Sequence, residues 1–136
     1  MVREIVRDPV RLAQPSVPAT VMDLPVARDL QETLRHHAEH CAGMAANMIG
    51  VSRRIIAFFD GETLRVMLNP EIVSTRNPYE TEEGCLSLTG VRPCTRYQRI
   101  RVQWQDESFQ PRSAVFTGYT AEIIQHEVDH CNGVVI

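Results

Sequence analysis

Two histidines and a glutamate near the end of the chain have the spacing of a helical metal site. His126, Glu127 and His130 lie in the stretch QHEVDH. Residues four apart share one face of a helix, so both imidazoles would project toward one point, with Glu127 offset to its side. Metal-assisted hydrolysis requires this combination of two ligands and a general base. The match alone is only moderately specific, because H-E-x-x-H also arises without a metal.

A third candidate ligand is Cys85, in the stretch EEGCLSL. It directly follows Gly84, whose backbone allows tight local geometry. A catalytic site needs three protein ligands and leaves the fourth position open, whereas a structural site closes its shell. A structural site with a closed shell binds no reacting water, so it does not need a base such as Glu127. The sequence therefore favours a hydrolytic centre over a structural one.

The first helix is predicted over 25–40. Asp23 can cap this helix, Pro25 suits its first turn, and apolar residues recur at helical spacing. The histidines of its last turn are His36, His37 and His40. An imidazole is favourable near the negative end of the helix dipole, so we interpret these histidines as a solvated helix end and not as metal ligands.

Turn and strand signals fill the middle of the chain. The pair Asp60-Gly61 between two apolar runs is the strongest hairpin signal. Strands are predicted at 71–76, at 99–106 and at 112–116, with the last two paired. The segment 119–133 is predicted as a helix that Gly133 ends. These elements predict an α+β fold, with small antiparallel or mixed sheets packed around a C-terminal metal-binding helix and one N-terminal helix.

The composition limits the range of partners. A chain of 136 residues with 43% hydrophobic content predicts a single domain over 1–136. A net charge of -3 excludes the basic surface that nucleic acids require. The longest apolar stretch, 55–59, is far below the roughly 20 residues of a membrane span, and the N-terminus has no signal-peptide pattern. The four cysteines form no C-x-x-C pair, so we expect a cytoplasmic protein without disulfides.

Three ordered motifs resemble those of the peptide deformylases. They are GMAANMIG (43–50), EGCLS (83–87) and HEVDH (126–130), and the similarity runs through most of the chain. The resemblance implies Cys85, His126 and His130 as ligands of one divalent ion, most often Fe(II) in the cell and readily Zn or Ni in isolated protein. A thiolate with two imidazoles suits iron or zinc, and the ligand set does not decide between them.

The resemblance also implies a reaction, the removal of the formyl group from N-formylmethionyl peptides or nascent chains, at or near the ribosome. Glu127 accepts a proton from the attacking water and passes it to the leaving amine. The backbone N–H of Leu86 contributes to oxyanion binding. Gly43 and Arg92 correspond to positions at the substrate cleft, where the arginine fork could meet peptide carbonyls.

The first motif departs from the family pattern. The family carries a glycine and a glutamine where this chain has Cys41 and Met48, and the amide of that glutamine binds the oxyanion. The side-chain donor is therefore missing at Met48, which costs about 10²–10³ in rate where such a donor is used. If 45–50 is extended, Asn47 points to the other face and does not replace the amide.

Two further departures concern the end of the chain. Glu122 precedes His126 by four residues, which places a carboxylate on the metal-facing side of the helix where the family usually lines the pocket for methionine with an apolar residue. A buried unpaired carboxylate is costly, so Glu122 should find a cation or reach solvent. The chain also ends six residues after His130, before the C-terminal helix of many relatives.

Two functions remain open at the level of sequence. The first is a metal-dependent hydrolase acting on formyl-methionyl peptides. The second is a catalytically weak relative that acts on another N-acyl peptide, or only binds blocked N-termini, because Met48 has replaced the oxyanion donor. The sequence also leaves the oligomeric state open.

Overall fold

The computed structural model describes residues 1–135, and over this range the chain forms three α-helices and five β-strands. The helices are α1 (Pro9–Leu12), α2 (Leu24–His36) and α3 (Gly118–Cys131). The strands are β1 (Gly43–Ala45), β2 (Ile55–Asp60), β3 (Thr63–Cys85), β4 (Leu88–Gln105) and β5 (Pro111–Thr117). None of the described helices is long and apolar enough to cross a membrane. Ile136, the last residue of the predicted domain, lies outside the described residues.

The five strands form one sheet in the order β1-β2-β3-β4-β5. Each strand pairs with the next in antiparallel orientation. The predicted α+β class, with an N-terminal helix and a C-terminal helix that carries the HEVDH motif, is confirmed. The ladders are all antiparallel and not mixed, because each strand returns alongside the one before it.

The hairpin predicted at Asp60-Gly61 is confirmed. Asp60 ends β2, Thr63 begins β3, and the two residues pair across the turn. Gly61 has φ of +63°, a left-handed conformation that glycine adopts without steric cost.

β3 and β4 form a long hairpin that the sequence predicts only in part. The predicted strand 71–76 is the middle of β3, and 99–106 covers the end of β4. Both strands continue through proline and glycine positions that read as turn signals, because cross-strand pairing overrides local propensity. The ladder runs to Cys85 opposite Leu88, so the hairpin carries Cys85 to its tip. The predicted pairing of 112–116 with β4 is confirmed.

The side chain of Gln125 attaches α3 to β4. Its Oε1 accepts a hydrogen bond from the Tyr97 N–H, and its Nε2 donates to the carbonyls of Tyr97 and Ala121, each at 2.9 Å. Tyr97 lies beyond the β4–β5 ladder, which begins at Arg99. The Gln125 amide therefore provides hydrogen-bond partners for the Tyr97 N–H and carbonyl, which do not bond to a neighbouring strand. These bonds also fix the position of α3 against the sheet.

The predicted helix 25–40 is shorter in the structure. α2 ends at His36, so His40 lies in the turn beyond the helix. Asp23 precedes α2 without a side-chain cap bond, because its carboxylate accepts the Thr20 N–H at 2.8 Å in a capping box of the preceding 3-10 turn. The chain must leave the helix early to reach β1, and this tertiary requirement overrides the helical propensity of the segment.

The core is formed mainly by α2, β1, β2 and α3. Leu30 and Leu34 of α2 are fully buried, and so is Ile124 of α3. In β2 the consecutive residues 55–58 are all fully buried. Because successive side chains of a strand point to opposite faces, both faces of β2 are covered. β1 is paired on one side only. Its other edge faces the space between α3 and the tip of the β3–β4 hairpin.

Candidate active site

Three potential metal ligands meet where the tip of the β3–β4 hairpin reaches α3. Cys85 is the last residue of β3, and His126 and His130 lie one turn apart on α3. The Cys85 Sγ lies 3.4 Å from His130 Nε2, which lies 3.2 Å from His126 Nε2. The three ligand atoms lie within 4.8 Å of one another. The structure therefore brings together the three residues that the sequence nominates.

Glu83 fixes the orientation of His126. Its Oε1 lies 2.8 Å from His126 Nδ1. An ionised carboxylate only accepts hydrogen bonds, so Nδ1 donates and carries a ring proton. In the neutral imidazole the lone pair is then on Nε2, which faces Cys85 and His130. Carboxylate partners commonly orient metal-binding histidines in this way.

A buried arginine holds Glu83 in place. Arg96 of β4 is 4% exposed and donates to both carboxylate oxygens of Glu83 at 2.7 to 3.1 Å. It also donates to Asp129 Oδ2 of α3 at 2.7 Å. Burial alone would raise the pKa of Glu83, but hydrogen bonds from His126 and Arg96 outweigh this effect and lower the pKa. The Glu83 carboxylate is therefore ionised, and Arg96 links β3, β4 and α3 at the ligand cluster.

The sequence alone assigns no role to Glu83 or Arg96. Glu83 lies two residues before Cys85 in the EGCLS motif, and this proximity to a ligand is a signal of its importance. Arg96 gives no local signal, because its partners lie 13 and 33 residues away in the chain. Only the register of the β3–β4 hairpin places its guanidinium beside Glu83.

Glu127 lies buried beside the cluster. Burial raises the pKa of its carboxyl to about 7, although the charge of His126 opposes this effect. Its Oε1 has no hydrogen-bond partner among residues 1–135. Gly43 of β1 packs against it, since a Cβ at Gly43 would lie 2.6 Å from Ile123 Cγ2 and 3.0 Å from Glu127 Oε2. Glycine is therefore required at position 43 for β1 to approach α3.

The electrostatics of the cluster suit a divalent cation. Burial lowers the pKa of His130 to about 3, so its imidazole is neutral. Burial also disfavours the charged form of His126, but hydrogen bonds to Cys85 and Glu83 and the charge of Glu127 raise its pKa to about 10. Positive charge is therefore stabilised at His126, whereas His130 stays neutral. One thiol and two imidazoles beside a free carboxylate oxygen fit a metal such as iron or zinc.

A cleft of about 280 Å³ opens over the cluster. Of the residues nominated from the sequence, those that line it are Gly43, Met48, Cys85, Leu86, Glu122, His126 and Glu127. Tyr119 at the start of α3 also lines the cleft and is 68% exposed. The cleft is therefore lined by two of the candidate ligands, Cys85 and His126, by the candidate base and by a solvent-exposed aromatic ring, while His130 is buried behind it.

The segment around Met48 is not extended as the sequence suggests. β1 ends at Ala45, and Ala46–Ile49 forms a 3-10 turn. Met48 is 1% exposed, and its sulfur accepts the Ala45 N–H at 3.4 Å. Asn47 nonetheless points away from the cleft, as expected, because its Nδ2 donates to the carbonyl of His130 at 3.0 Å. It does not replace the missing amide.

Glu122 and Arg92, both nominated from the sequence, are partly buried in the structure. Glu122 is half-buried, and burial and a hydrogen bond with Glu83 raise its pKa, while Tyr79 also contacts it. It therefore reaches solvent at the cleft, which is one of its two expected environments, and it also meets a second carboxylate. Arg92 lies opposite Glu83 in the β3–β4 ladder, and its Nη1 is buried without a partner among the described residues. Arg92 is not among the residues that line the cleft.

Sequence similarity to one protein family extends over almost the whole chain. The sequence profile of polypeptide deformylase matches residues 2–136. The chain belongs to the peptide deformylase family. A peptide deformylase of Clostridium beijerinckii is 49% identical over 136 residues, which cover the whole of both chains. The expected family resemblance is therefore confirmed, and this chain is a metal-dependent hydrolase that removes N-formyl groups.

Solved structures of other deformylases have the same fold. The peptide deformylase of Thermotoga maritima gives a TM-score of 0.89 at 30% identity, over 99% of this chain and 95% of that one. A class I type b peptide deformylase of Acinetobacter baumannii, determined with Met-Ala-Ser bound, gives 0.89 at 26% identity over 99% and 97% of the two chains. These similarities favour the deformylase over the alternative of a protein that only binds blocked N-termini.

The Arg96 network predicts a specific change in metal affinity. In Arg96→Met the Glu83 carboxylate loses its bidentate partner, so His126 is no longer held in one orientation. Affinity for Co(II) or Zn(II) should fall about 10- to 100-fold, the usual cost of removing such outer partners. Metal titration measures this effect, with the exposed Arg99 on the same strand, changed to Met, as the matched control. Unchanged affinity in folded Arg96→Met would show that His126 is oriented without this network.

Proposed function

We propose that Cys85, His126 and His130 hold one divalent ion and that Glu127 is the acid/base of peptide deformylation. The observation that carries this proposal is the convergence of the three ligand atoms within 4.8 Å beside a buried carboxylate oxygen that has no hydrogen-bond partner within residues 1–135. When bound, the metal supplies a Lewis acid that polarises the formyl oxygen and acidifies water. We propose Fe(II) as the ion in the cell, with Zn or Ni in isolated protein.

Glu127 is suited to move a proton in both directions. Its pKa of about 7, raised mainly by burial, lies near neutral pH, where a carboxyl group is an efficient general acid and base. Glu127 takes a proton from the attacking water and delivers it to the amine of the leaving peptide. Its buried position excludes bulk water that would compete for this proton.

Oxyanion binding depends on the turn after the ligand cysteine. The backbone N–H of Leu86, at the tip of the β3–β4 hairpin, donates to the developing negative charge on the formyl oxygen. Met48 lines the same cleft and offers no side-chain donor. This chain therefore relies on the backbone donor more than a relative with an amide at position 48 would.

The peptide substrate is placed along the open edge of β1. The Phe59 N–H donates to Ala42 O just before β1, so the next pair, Gly43 opposite Phe58, is a non-hydrogen-bonded pair of the β1–β2 ladder. The main-chain groups of Gly43, the next residue, then point away from β2 toward the cleft. A formyl-methionyl peptide can pair with this edge as an added strand, with Glu122 and Tyr119 beside its first side chain.

The substrates we propose are N-formylated peptides and nascent chains, met in the cytoplasm at or near the ribosome. Residues 1–136 would act as a single deformylase domain. We retain Arg92 as a contact for more distant peptide residues, since its Nη1 has no acceptor in the part of the chain that the structure describes.

Formyl release tests this function directly. Protein loaded anaerobically with Fe(II) or Ni(II) should contain one ion per chain and release formate from formyl-Met-Ala-Ser. Elemental analysis and a formate assay measure the two quantities. Apo protein should regain activity only after metal addition. Full metal occupancy without formate release, or a fourth protein ligand in the metal-bound structure, would contradict the proposed function.

A further inference from the structure

The N-terminal segment 3–7 forms hydrogen bonds with two residues that line the active-site cleft. It is anchored to α2, because the Arg3 N–H donates to Thr33 Oγ1 at 2.9 Å and the Arg3 guanidinium pairs with Asp29 at 2.7 Å. Ile5 and Val6 are partly buried and pack against the core. The segment is therefore held in place against α2 and the hydrophobic core.

Val6 and Arg7 of this segment donate hydrogen bonds to backbone carbonyls on either side of the cleft. The Val6 N–H donates to Met48 O at 2.8 Å. The Arg7 Nη1 donates to Leu86 O at 2.9 Å, across 79 residues of sequence. Met48 and Leu86 both line the cleft and come from different motifs. Val6 and Arg7 thus connect the 3-10 turn of the first motif with the tip of the β3–β4 hairpin.

The contact at Leu86 constrains the direction of its amide. Leu86 and Ser87 are the two residues of the turn between Cys85 and Leu88. In such a short turn the orientations of successive peptide planes are coupled, because only a few combinations of dihedral angles close it. Holding the Leu86 carbonyl therefore restricts the peptide between Cys85 and Leu86, whose N–H is the proposed oxyanion donor.

Although Arg7 is exposed, its contact with Leu86 is important for the proposed oxyanion binding in this chain. Met48 supplies no side-chain donor, so the Leu86 N–H carries oxyanion binding without help from that position. A preorganised donor is effective because it does not need to reorient as charge develops. Ser87, the other turn residue, is 2% exposed, and its Oγ has no partner among the described residues, so it does not anchor the turn through its hydroxyl.

We propose that Arg7 is a positioning residue for deformylation, which acts by holding the Leu86 carbonyl and thereby orienting the Leu86 N–H toward the oxyanion. The inference rests on the proposed function of Leu86. Arg7 does not touch the substrate, and its effect should appear in kcat and not in KM, because the donor meets charge that is present only in the transition state.

The test compares Arg7→Met, Arg7→Lys and the control Arg11→Met in zinc- or nickel-loaded protein. Arg11 is an exposed arginine of the adjacent helix α1. With formyl-Met-Ala-Ser, kcat of Arg7→Met should fall about 3- to 10-fold, less than the 10²–10³ that loss of the donor itself costs, with KM within about twofold. Arg7→Lys, which keeps a cationic donor, should recover at least half of the loss. Arg11→Met should match the unmodified protein.

A second readout does not depend on activity. In ¹⁵N spectra of the zinc-loaded protein, the Leu86 and Ser87 amides of Arg7→Met should shift and exchange faster with solvent, while those of Arg11→Met should not. Unperturbed amides, a rise in KM at constant kcat, or equal losses in both variants would overturn the role of Arg7. Absence of formate release by the unmodified protein would instead overturn the proposed function, so the two failures are distinguishable.

Discussion

Glu127→Gln is expected to keep the metal ion and to lose about 10²-fold or more of the hydrolysis rate. Glutamine has nearly the same shape, so it fills the buried position against Gly43 without leaving a cavity. Its amide cannot accept the proton of the attacking water. Because Glu127 is not among the three ligands, metal content should stay at one ion per chain. Formate release and elemental analysis on the same sample measure both effects.

Glu82→Gln is the matched control for this prediction. Glu82 lines the same cleft but is exposed, so the change removes one negative charge from the cleft without touching the proposed base. Its rate should stay within a few-fold of the unmodified enzyme. Retained turnover in metal-loaded Glu127→Gln would remove Glu127 from the acid/base role, and equal losses in both variants would point to a general electrostatic effect.

Met48→Gln is expected to raise kcat on formyl-methionyl peptides about tenfold or more. The gain is bounded by the 10²–10³ that one oxyanion donor contributes. The structure favours this substitution, because the Met48 sulfur already accepts the Ala45 N–H at 3.4 Å. A glutamine Oε1 can take over that hydrogen bond and leave Nε2 free to donate toward the cleft. KM should change little, since the new donor meets charge that is present only in the transition state.

Met48→Leu separates the donor from the volume at this position. Leucine has a similar size and no donor, so its kcat should stay near that of the unmodified enzyme. Steady-state kinetics with formyl-Met-Ala-Ser, together with metal content and thermal unfolding, measure the comparison. If Met48→Gln gives no gain while it folds and binds metal normally, the cleft near position 48 is arranged for another acyl group. An equal gain in Met48→Leu would attribute the effect to packing.

The sequence predicts the ligands and the base because their spacing is a local property. His126 and His130 need only a helix to share a face, with Glu127 offset beside them, and their segment forms α3. The hairpin predicted at Asp60-Gly61 is equally local, since the turn conformation depends on its two central residues, Gly61 and Glu62. Cys85 was predictable because it directly follows a glycine and because its EGCLS motif is specific in combination with HEVDH.

Elements whose limits depend on neighbours could not be predicted in this way. α2 ends at His36 and not at residue 40, because the chain must reach the sheet edge at Gly43. Residues 46–49 turn into a 3-10 conformation and do not continue β1, which buries the Met48 side chain against the cleft. In both places long-range packing outweighs propensities that differ by only about 1 kcal/mol per residue.

Only the tertiary structure shows which charged groups hold the candidate ligands in place. Arg96 lies 13 residues from Glu83 and 33 from Asp129, and these groups meet because the β3–β4 register and the docking of α3 bring them together. Arg7 reaches Leu86 across 79 residues for the same kind of reason. The sequence determined which side chains can bind a metal and move a proton. The folded chain decided which charges and hydrogen bonds hold them, because such contacts depend on distance in space and not along the chain.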